Sequence, residues 1–498
     1  MRRSALGALL AASILAAAPA RAQEAVRVAV TARTAADSLA SFDGRRQEAE
    51  RTTLTVRQVW PGATDTSTVT VAYLRLPART PRPGSPIVFL MGGPGVPASV
   101  IGRVPPYWAL FDRLRSVADV VLLDQRGTGL SHPSLDCAPG DPPRPDFLES
   151  LRTLRRALVA TYAPCVAAWR ARGVRPEWVS AAEIARDVEE VRRRLGAEKV
   201  SLLAFSYGTR LALEYARLYP GRVDRAVLQG TLGFDEVIRT PTALDSVLAR
   251  VSAAAARDSV ARSLTPELST ALEDVLADAG RRPFEVTVPG ADGAPVRLRV
   301  GRGGLEALVS GRIADPRLPA LAATLRAGDT RVLAALAGGI WRDLAGGGGS
   351  LFGRAVYCSA PAPRERERLA RSLAGRAMLG QVFDNIPESS DFCREIGIAP
   401  GAYAPPPARP WPGAALFVTG TLDDRTPPAN AERARRWFAG ARVVTVENGG
   451  HELLPVDEVQ SLVAEFLSTG TVSRTTLTLP PPRFLTIEEA LQPPRRGR

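Results

Sequence analysis

Histidine and lysine are nearly absent from this chain: its 498 residues include 2 histidines, His132 and His451, and a single lysine, Lys199. Any chemistry that needs an imidazole base has only these two positions to draw on. The 4 cysteines, Cys137, Cys165, Cys358 and Cys393, form no CxxC pair. With so little histidine beside them their spacing fits no metal site, and no metal or other cofactor is expected. Blocks of five or six like charges are also missing. The formal charge of +13 is spread along the chain as scattered arginine, which reads as a coding bias rather than a nucleic-acid patch. Beyond the N-terminal segment no run of eighteen apolar residues occurs, so no stable membrane insertion is expected. A hydrophobic content of 45% with 6% aromatics describes an ordinary globular chain, long enough for one large domain carrying an insertion.

A targeting pattern opens the sequence. Arg2 and Arg3 precede an apolar run from Ala5 to Ala18, and Ala20-Arg21-Ala22 supplies the small residues that a signal peptidase reads. Residues 1–22 are expected to be removed, and the rest exported to a periplasm or beyond. The four cysteines would then meet an oxidising compartment. The sequence-local pairs Cys137 with Cys165 and Cys358 with Cys393 are candidate disulfides, each contributing about 3 kcal/mol.

Short runs of Val, Ile and Leu recur with helical patterns between them, and each ends in Gly, Asp or Ser, an alternation that predicts a mostly parallel sheet flanked by helices. Six such strands are expected, at 87–91, 119–123, 200–205, 225–229, 414–419 and 442–446, with the chemistry at their carboxyl ends. Helices are expected over 180–195, 207–219 and 456–467. The first has a Ser180 cap, Glu183 three residues on, and an apolar stripe of Ile184, Val188, Val191 and Leu195. Between Gly230 and Ala414 the pattern changes to helices and one hairpin around Gly290-Ala-Asp-Gly293. This block reads as a mainly helical lid inserted between two late strands. The expected division is residues 23–234 and 409–470 for the catalytic part, 235–408 for the lid and 471–498 for a C-terminal tail.

The segment Val200-Ser-Leu-Leu-Ala-Phe-Ser206-Tyr-Gly-Thr-Arg210 has the form of a nucleophile elbow. A strand runs into a small-x-Ser-x-Gly turn and then a helix, so that a serine hydroxyl stands clear of its own backbone. Ala204 takes the first small position and Gly208 the second. With Ser206 as nucleophile, a base and an acid should follow in the order Ser, Asp, His. His451 sits in a Gly-Gly-His loop after a strand, whereas His132 precedes Ser206 and its Pro133 neighbour suits a surface turn. Asp423 and Asp424 both lie at the exit of the preceding strand. Asp423 is the better candidate, because the Thr426-Pro427 pair closes a turn around it. Two backbone donors for an oxyanion are expected from Tyr207, directly after the nucleophile, and from Gly93 in the Gly92-Gly93-Pro94-Gly95 loop.

MGGPG at 91–95, DQRGTGLS at 124–131, AFSYGTR at 204–210, GTLDDRTP at 420–427 and GGH at 449–451, in this order, resemble the α/β-hydrolase family of prolyl aminopeptidases (proline iminopeptidases) and secreted tripeptidyl aminopeptidases. The likeness runs over most of residues 70–470. Met91 stands where the family has His, and Ala204 where the elbow has Gly; neither moves a proton. The resemblance implies an α/β-hydrolase fold, a Ser206, Asp423, His451 triad, an oxyanion hole from Gly93 and Tyr207, a helical cap, and release of residues from the free amino end of peptide substrates. An aminopeptidase must hold its substrate's ammonium group. Asp235 and Glu236, or Asp384, Glu388 and Asp391, are candidates, each of which also reads as a solvated surface carboxylate. A carboxylesterase on the same scaffold, and a binding protein without turnover, are the alternatives.

Overall fold

A computed structural model describes residues 30–59, 66–290, 292–346, 348–384, 389–402, 405–406 and 410–492. The expected leader, residues 1–22, lies outside them. The strands are β1 (Thr31–Ala40), β2 (Arg46–Arg57), β3 (Thr68–Leu76), β4 (Ile87–Leu90), β5 (Val120–Asp124), β6 (Val200–Phe205), β7 (Val223–Gln229), β8 (Phe284–Pro289), β9 (Pro295–Val300), β10 (Trp411–Gly420), β11 (Phe438–Glu447) and β12 (Thr476–Thr478). Ten of them form one sheet in the order β1-β2-β3-β5-β4-β6-β7-β10-β11-β12. From β5 to β12 every neighbouring pair is parallel, while β1, β2 and β3 join antiparallel at one edge.

β6 explains why the central strands are uninterrupted apolar runs. All six of its residues are buried, since a parallel strand in mid-sheet has helices over both faces. Leu202 and Ala204 point into one core with the helices Ala181–Arg194 and Tyr207–Leu218. Leu203 and Phe205 point into the other, with the helices Pro105–Leu114 and Asp457–Thr469. Period-two side-chain alternation thus divides one strand between two hydrophobic layers.

The block between β7 and β10 is helical from Pro241–Ala255 to Ser390–Glu395, broken by the β8/β9 hairpin. A second stretch of chain joins it. The helix Leu151–Ala171, between β5 and β6 in sequence, packs against the inserted helices rather than the sheet. It is tied to them by the Arg155 pair with Glu395, and a bridge between Leu148 and Val300 lies just ahead of it. The cap over the sheet edge therefore comes from two insertions, where the sequence suggests one. Both disulfides lie in it: Cys137–Cys165 holds the first insertion, and Cys358–Cys393 joins the helices Phe352–Ser359 and Ser390–Glu395, with Cα separations of 5.4 and 5.5 Å.

Two other segments are more ordered than their composition suggests. Gly348 and Gly349 are pinned by the Tyr162 hydroxyl donating to the Gly348 carbonyl and the Cys137 amide donating to Gly349. The tail after Leu479 straps the cap: Phe484 is buried, the Leu485 amide bonds Pro316, and a capping box of Thr486 and Glu489 starts a short helix.

Candidate active site

Ser206 adopts φ 54° and ψ −122° between β6 and the helix Tyr207–Leu218, a region that non-glycine residues avoid and that surrounding contacts must hold in place. The Ser206 amide donates to the Gln229 carbonyl at 2.9 Å. Its carbonyl accepts from the Thr209 amide at 2.9 Å and the Thr209 hydroxyl at 2.6 Å. The turn also needs bare backbone beside it. A β-carbon on Gly208 would collide with the Leu90 carbonyl, and one on Gly92 would lie 2.7 Å from the Ser206 β-carbon. Ala204, deep in β6, meets no such constraint and packs in the core.

His451 reaches Ser206 from the loop after β11, with Nε2 3.0 Å from Oγ. Its Nδ1 lies 3.0 Å from both carboxylate oxygens of Asp423, which is fully buried. Asp423 takes three further bonds, from the amides of Arg425 (2.9 Å) and Thr426 (2.8 Å) and from the Thr426 hydroxyl (2.7 Å). These donors fix the carboxylate in place, and it in turn orients the ring. Asp424 faces elsewhere: its Oδ2 accepts from the Ala314 amide of the cap at 3.1 Å. Gln229, at the end of β7, donates to the His451 carbonyl at 2.8 Å, and the Leu422 amide bonds Gly449 at 2.8 Å, locking the acid and base loops together. His132 is exposed beside β3, and among the described residues only its backbone is engaged, with Thr70.

Gly93 and Tyr207 line the same cavity as Ser206. No bond from either backbone amide is seen among the described residues, so both are available to a substrate oxygen. The DQRG loop supports this region without entering it. Gln125 donates to the Met91 carbonyl at 2.7 Å. Asp124 accepts from the Ser99 amide (2.9 Å), the Ser99 hydroxyl (2.6 Å) and the Leu130 amide (2.9 Å), and burial raises its pKa. Arg126 makes a buried fork to Asp187 with both bonds at 2.7 Å.

The cavity has a volume of about 640 Å³ and is roofed by the cap through Tyr162, Leu244, Tyr357 and Phe383, a size suited to a small ligand or a few residues. Among the described residues Glu236 is the only carboxylate lining it. Glu236 is 1% exposed, and one oxygen pairs with Arg433 at 2.7 Å while Oε2 has no partner. Burial first, and the neighbouring Asp235 next, raise its pKa above the ordinary 4.5. The surface reading therefore fails for Glu236. Asp391 is exposed and paired with Arg394, the Asp384 side chain and Glu388 lie outside the described residues, and Asp235 is half-buried.

Thr426 and Gln229 are the site residues that sequence reasoning passed over. Thr426 had a signal, since it stands three residues after the acid in a Thr-Pro turn; its hydroxyl sits between the Asp423 carboxylate and the His451 ring, 3.2 Å from Nδ1. Gln229 had none beyond its place at a strand end.

Comparison with known proteins supports the fold. Residues 85–269 match the family described as alpha/beta hydrolase fold, and residues 385–478 the family described as TAP-like protein. Relatives include the putative hydrolase YuaR of Escherichia coli, 28% identical over 34% of this chain and 32% of its own length. The serine protease Hip1 of Mycobacterium tuberculosis is 28% identical over 34% of the chain and 33% of its own. The proline iminopeptidase of Neisseria gonorrhoeae is 30% identical over 30% of the chain and 33% of its own. The matched stretch thus spans about a third of the length of each curated relative. By its sheet, its elbow and these matches, the chain has the α/β-hydrolase fold, and its likeness runs to the proline iminopeptidases and TAP-like proteins.

Proposed function

We propose that this chain is an exported serine aminopeptidase that releases a residue or a short peptide, up to a tripeptide, from the free N terminus of peptides. Ser206 Oγ attacks the scissile carbonyl while His451 Nε2 takes its proton. Asp423 keeps the imidazole in the Nδ1–H tautomer and stabilises its charged form. The amides of Gly93 and Tyr207 receive the oxyanion. On collapse the C–N bond breaks and His451 returns the proton to the leaving amine. Water, deprotonated by the same imidazole, then hydrolyses the acyl-enzyme ester and restores Ser206.

The observation that carries the peptidase reading is Glu236, a buried carboxylate that lines the cavity holding Ser206 and has one oxygen without a hydrogen-bond partner. A cationic amine in the acyl part of a substrate satisfies that oxygen; an ordinary ester leaves it bare. Relatives named serine protease and proline iminopeptidase support a peptide substrate. The N-terminal targeting pattern and the two disulfides support export. The test compares hydrolysis of peptide amides bearing a free amine, the same amides N-blocked, and simple aryl esters. Preference for the free amine is expected, with Ser206→Ala folded and inactive. Faster turnover of blocked amides or esters would replace this reading with a carboxylesterase. Failure of a serine-reactive phosphonate to label Ser206 would leave a binding protein.

A further inference from the structure

A second cavity, of about 890 Å³, opens on the other side of the site. Gly450 and His451 form one wall and Arg312, Arg425 and Arg483 stand around it, while Gly311 and Arg425 also border the cavity that holds Ser206. On the mechanism above, three substituents of the attacked carbon have fixed directions. The oxygen points to Gly93 and Tyr207, the acyl chain runs into the cavity with Glu236, and the departing nitrogen must lie against His451 Nε2 to be protonated. The chain beyond that nitrogen then has the His451 side to occupy.

We propose that this second cavity receives the leaving peptide, and that Arg312 and Arg425 favour leaving peptides carrying a carboxylate close to the cleaved bond. The proposal rests on the aminopeptidase reading and deepens it. The other charges around the cavity are largely settled. Arg317 pairs with Asp315 at 2.6 Å, and Arg483 with Glu489. Asp424 is buried and turned to the Ala314 amide. Among the described residues no carboxylate pairs with Arg312 or Arg425. Arg312 makes one long bond, 3.3 Å, to the Leu308 carbonyl. Burial, opposed by Asp315 and Asp343 and reinforced by Arg317 and Arg425, lowers its pKa below the usual guanidinium value. A guanidinium so placed is relieved by an incoming anion. Two sources supply that anion: an acidic side chain at the first leaving position, or the C-terminal carboxylate of a short leaving peptide.

The test uses one acyl sequence with four leaving groups: an Asp residue amidated at its C terminus, an Asn residue so amidated, the Asn residue with a free C terminus, and a neutral coumarin amide. The first irreversible step, acylation, governs kcat/KM, so this constant reports the leaving peptide. At least one carboxylate-bearing substrate is expected to exceed the amidated Asn substrate by about fivefold, as suits a part-exposed charge pair. Which one does so identifies the source. Arg312→Gln and Arg425→Gln should each bring that ratio toward one. The ratio is taken within each variant, so any general loss of folding or turnover cancels. A native ratio at or below one, or a ratio that survives both substitutions, overturns the proposal. Failure to cleave the coumarin amide at all would instead strike the aminopeptidase reading.

Discussion

Glu236→Gln preserves shape and removes one charge from the cavity. In the native chain Oε1 is held by Arg433 at 2.7 Å and Oε2 is unpartnered. Glutamine keeps an acceptor for Arg433, whose side chain is 36% exposed and stays hydrated, so the cost in stability should be no more than about 1 kcal/mol. Binding is another matter. Losing one member of a buried, hydrogen-bonded charge pair costs about 2–5 kcal/mol; Arg433 competes for the carboxylate, so the low end, about 2–3 kcal/mol, applies. That is roughly a 30- to 150-fold fall in kcat/KM for free-amine substrates. N-blocked peptide amides, already poor, should change little. The pH dependence follows the same logic. Glu236 has a raised pKa, so its protonated fraction persists to higher pH than for a surface glutamate, and a protonated carboxyl attracts no ammonium. The KM for free-amine substrates should rise as pH falls through that titration, and the Glu236→Gln variant should lack this rise. Equal losses on free and blocked substrates, or none on either, would refute the assignment of Glu236 to the substrate amine.

Thr426→Val deletes a 2.7 Å bond to the Asp423 carboxylate and leaves its Oδ2 to His451 alone; a charge-assisted bond of this kind is worth about 1.5–3 kcal/mol, so kcat should drop roughly 10- to 100-fold at little-changed KM in steady-state assays. Gly208→Ala drives a β-carbon into the Leu90 carbonyl, and the strain of parting β4 from the helix behind Ser206 should cost about 1–3 kcal/mol or more, seen as a lower Tm with a matching loss of phosphonate labelling. Replacing Cys358 and Cys393 with alanine removes a closure of 35 positions, worth about 3 kcal/mol. The bridge lies in the cap, so proteolysis within 352–395 should precede melting of the sheet, with KM raised before kcat falls.

The parts of the site that were legible in sequence are those fixed by their nearest neighbours in the chain. The elbow is six residues of buried strand followed by a turn that only small flanks permit, and the oxyanion loop is a glycine run after another buried strand; both reasons are local. Each strand from β4 to β7, with β10, shows an apolar run because helices cover both of its faces, whereas β11 buries one face through Val444 and Val446. β1 shows none: it is an exposed edge strand, TARTAADSLA, whose pairing with β2 leaves most of its side chains in water and buries Leu39 alone, so little in its composition marks it as strand. β12 is three residues long and borrows its order from β11. The choice between Asp423 and Asp424 shows where local reasoning stops. Turn geometry favours Asp423, but what occupies Asp424 is an amide of the cap 110 positions away in sequence, a contact that depends on where the insertion comes to rest.

The cap follows the same division. Its apolar faces join the core under one side of the sheet, and its two disulfides tie the helix Leu151–Ala171 to the chain before it and the short helices Phe352–Ser359 and Ser390–Glu395 to each other. Cross-links of this kind stabilise by limiting the unfolded chain, the more so the longer the loop they close. On the proposed function, substrate choice falls to this cross-linked part of the molecule. Ser206, His451 and Asp423 are held by loops of the sheet, whereas Tyr162 and Tyr357 come from the two disulfide-tied insertions. Reduction should consequently alter which peptides are accepted before it alters the capacity of Ser206 to react with a phosphonate. Parallel loss of both on reduction would mean that sheet and cap fold as one unit.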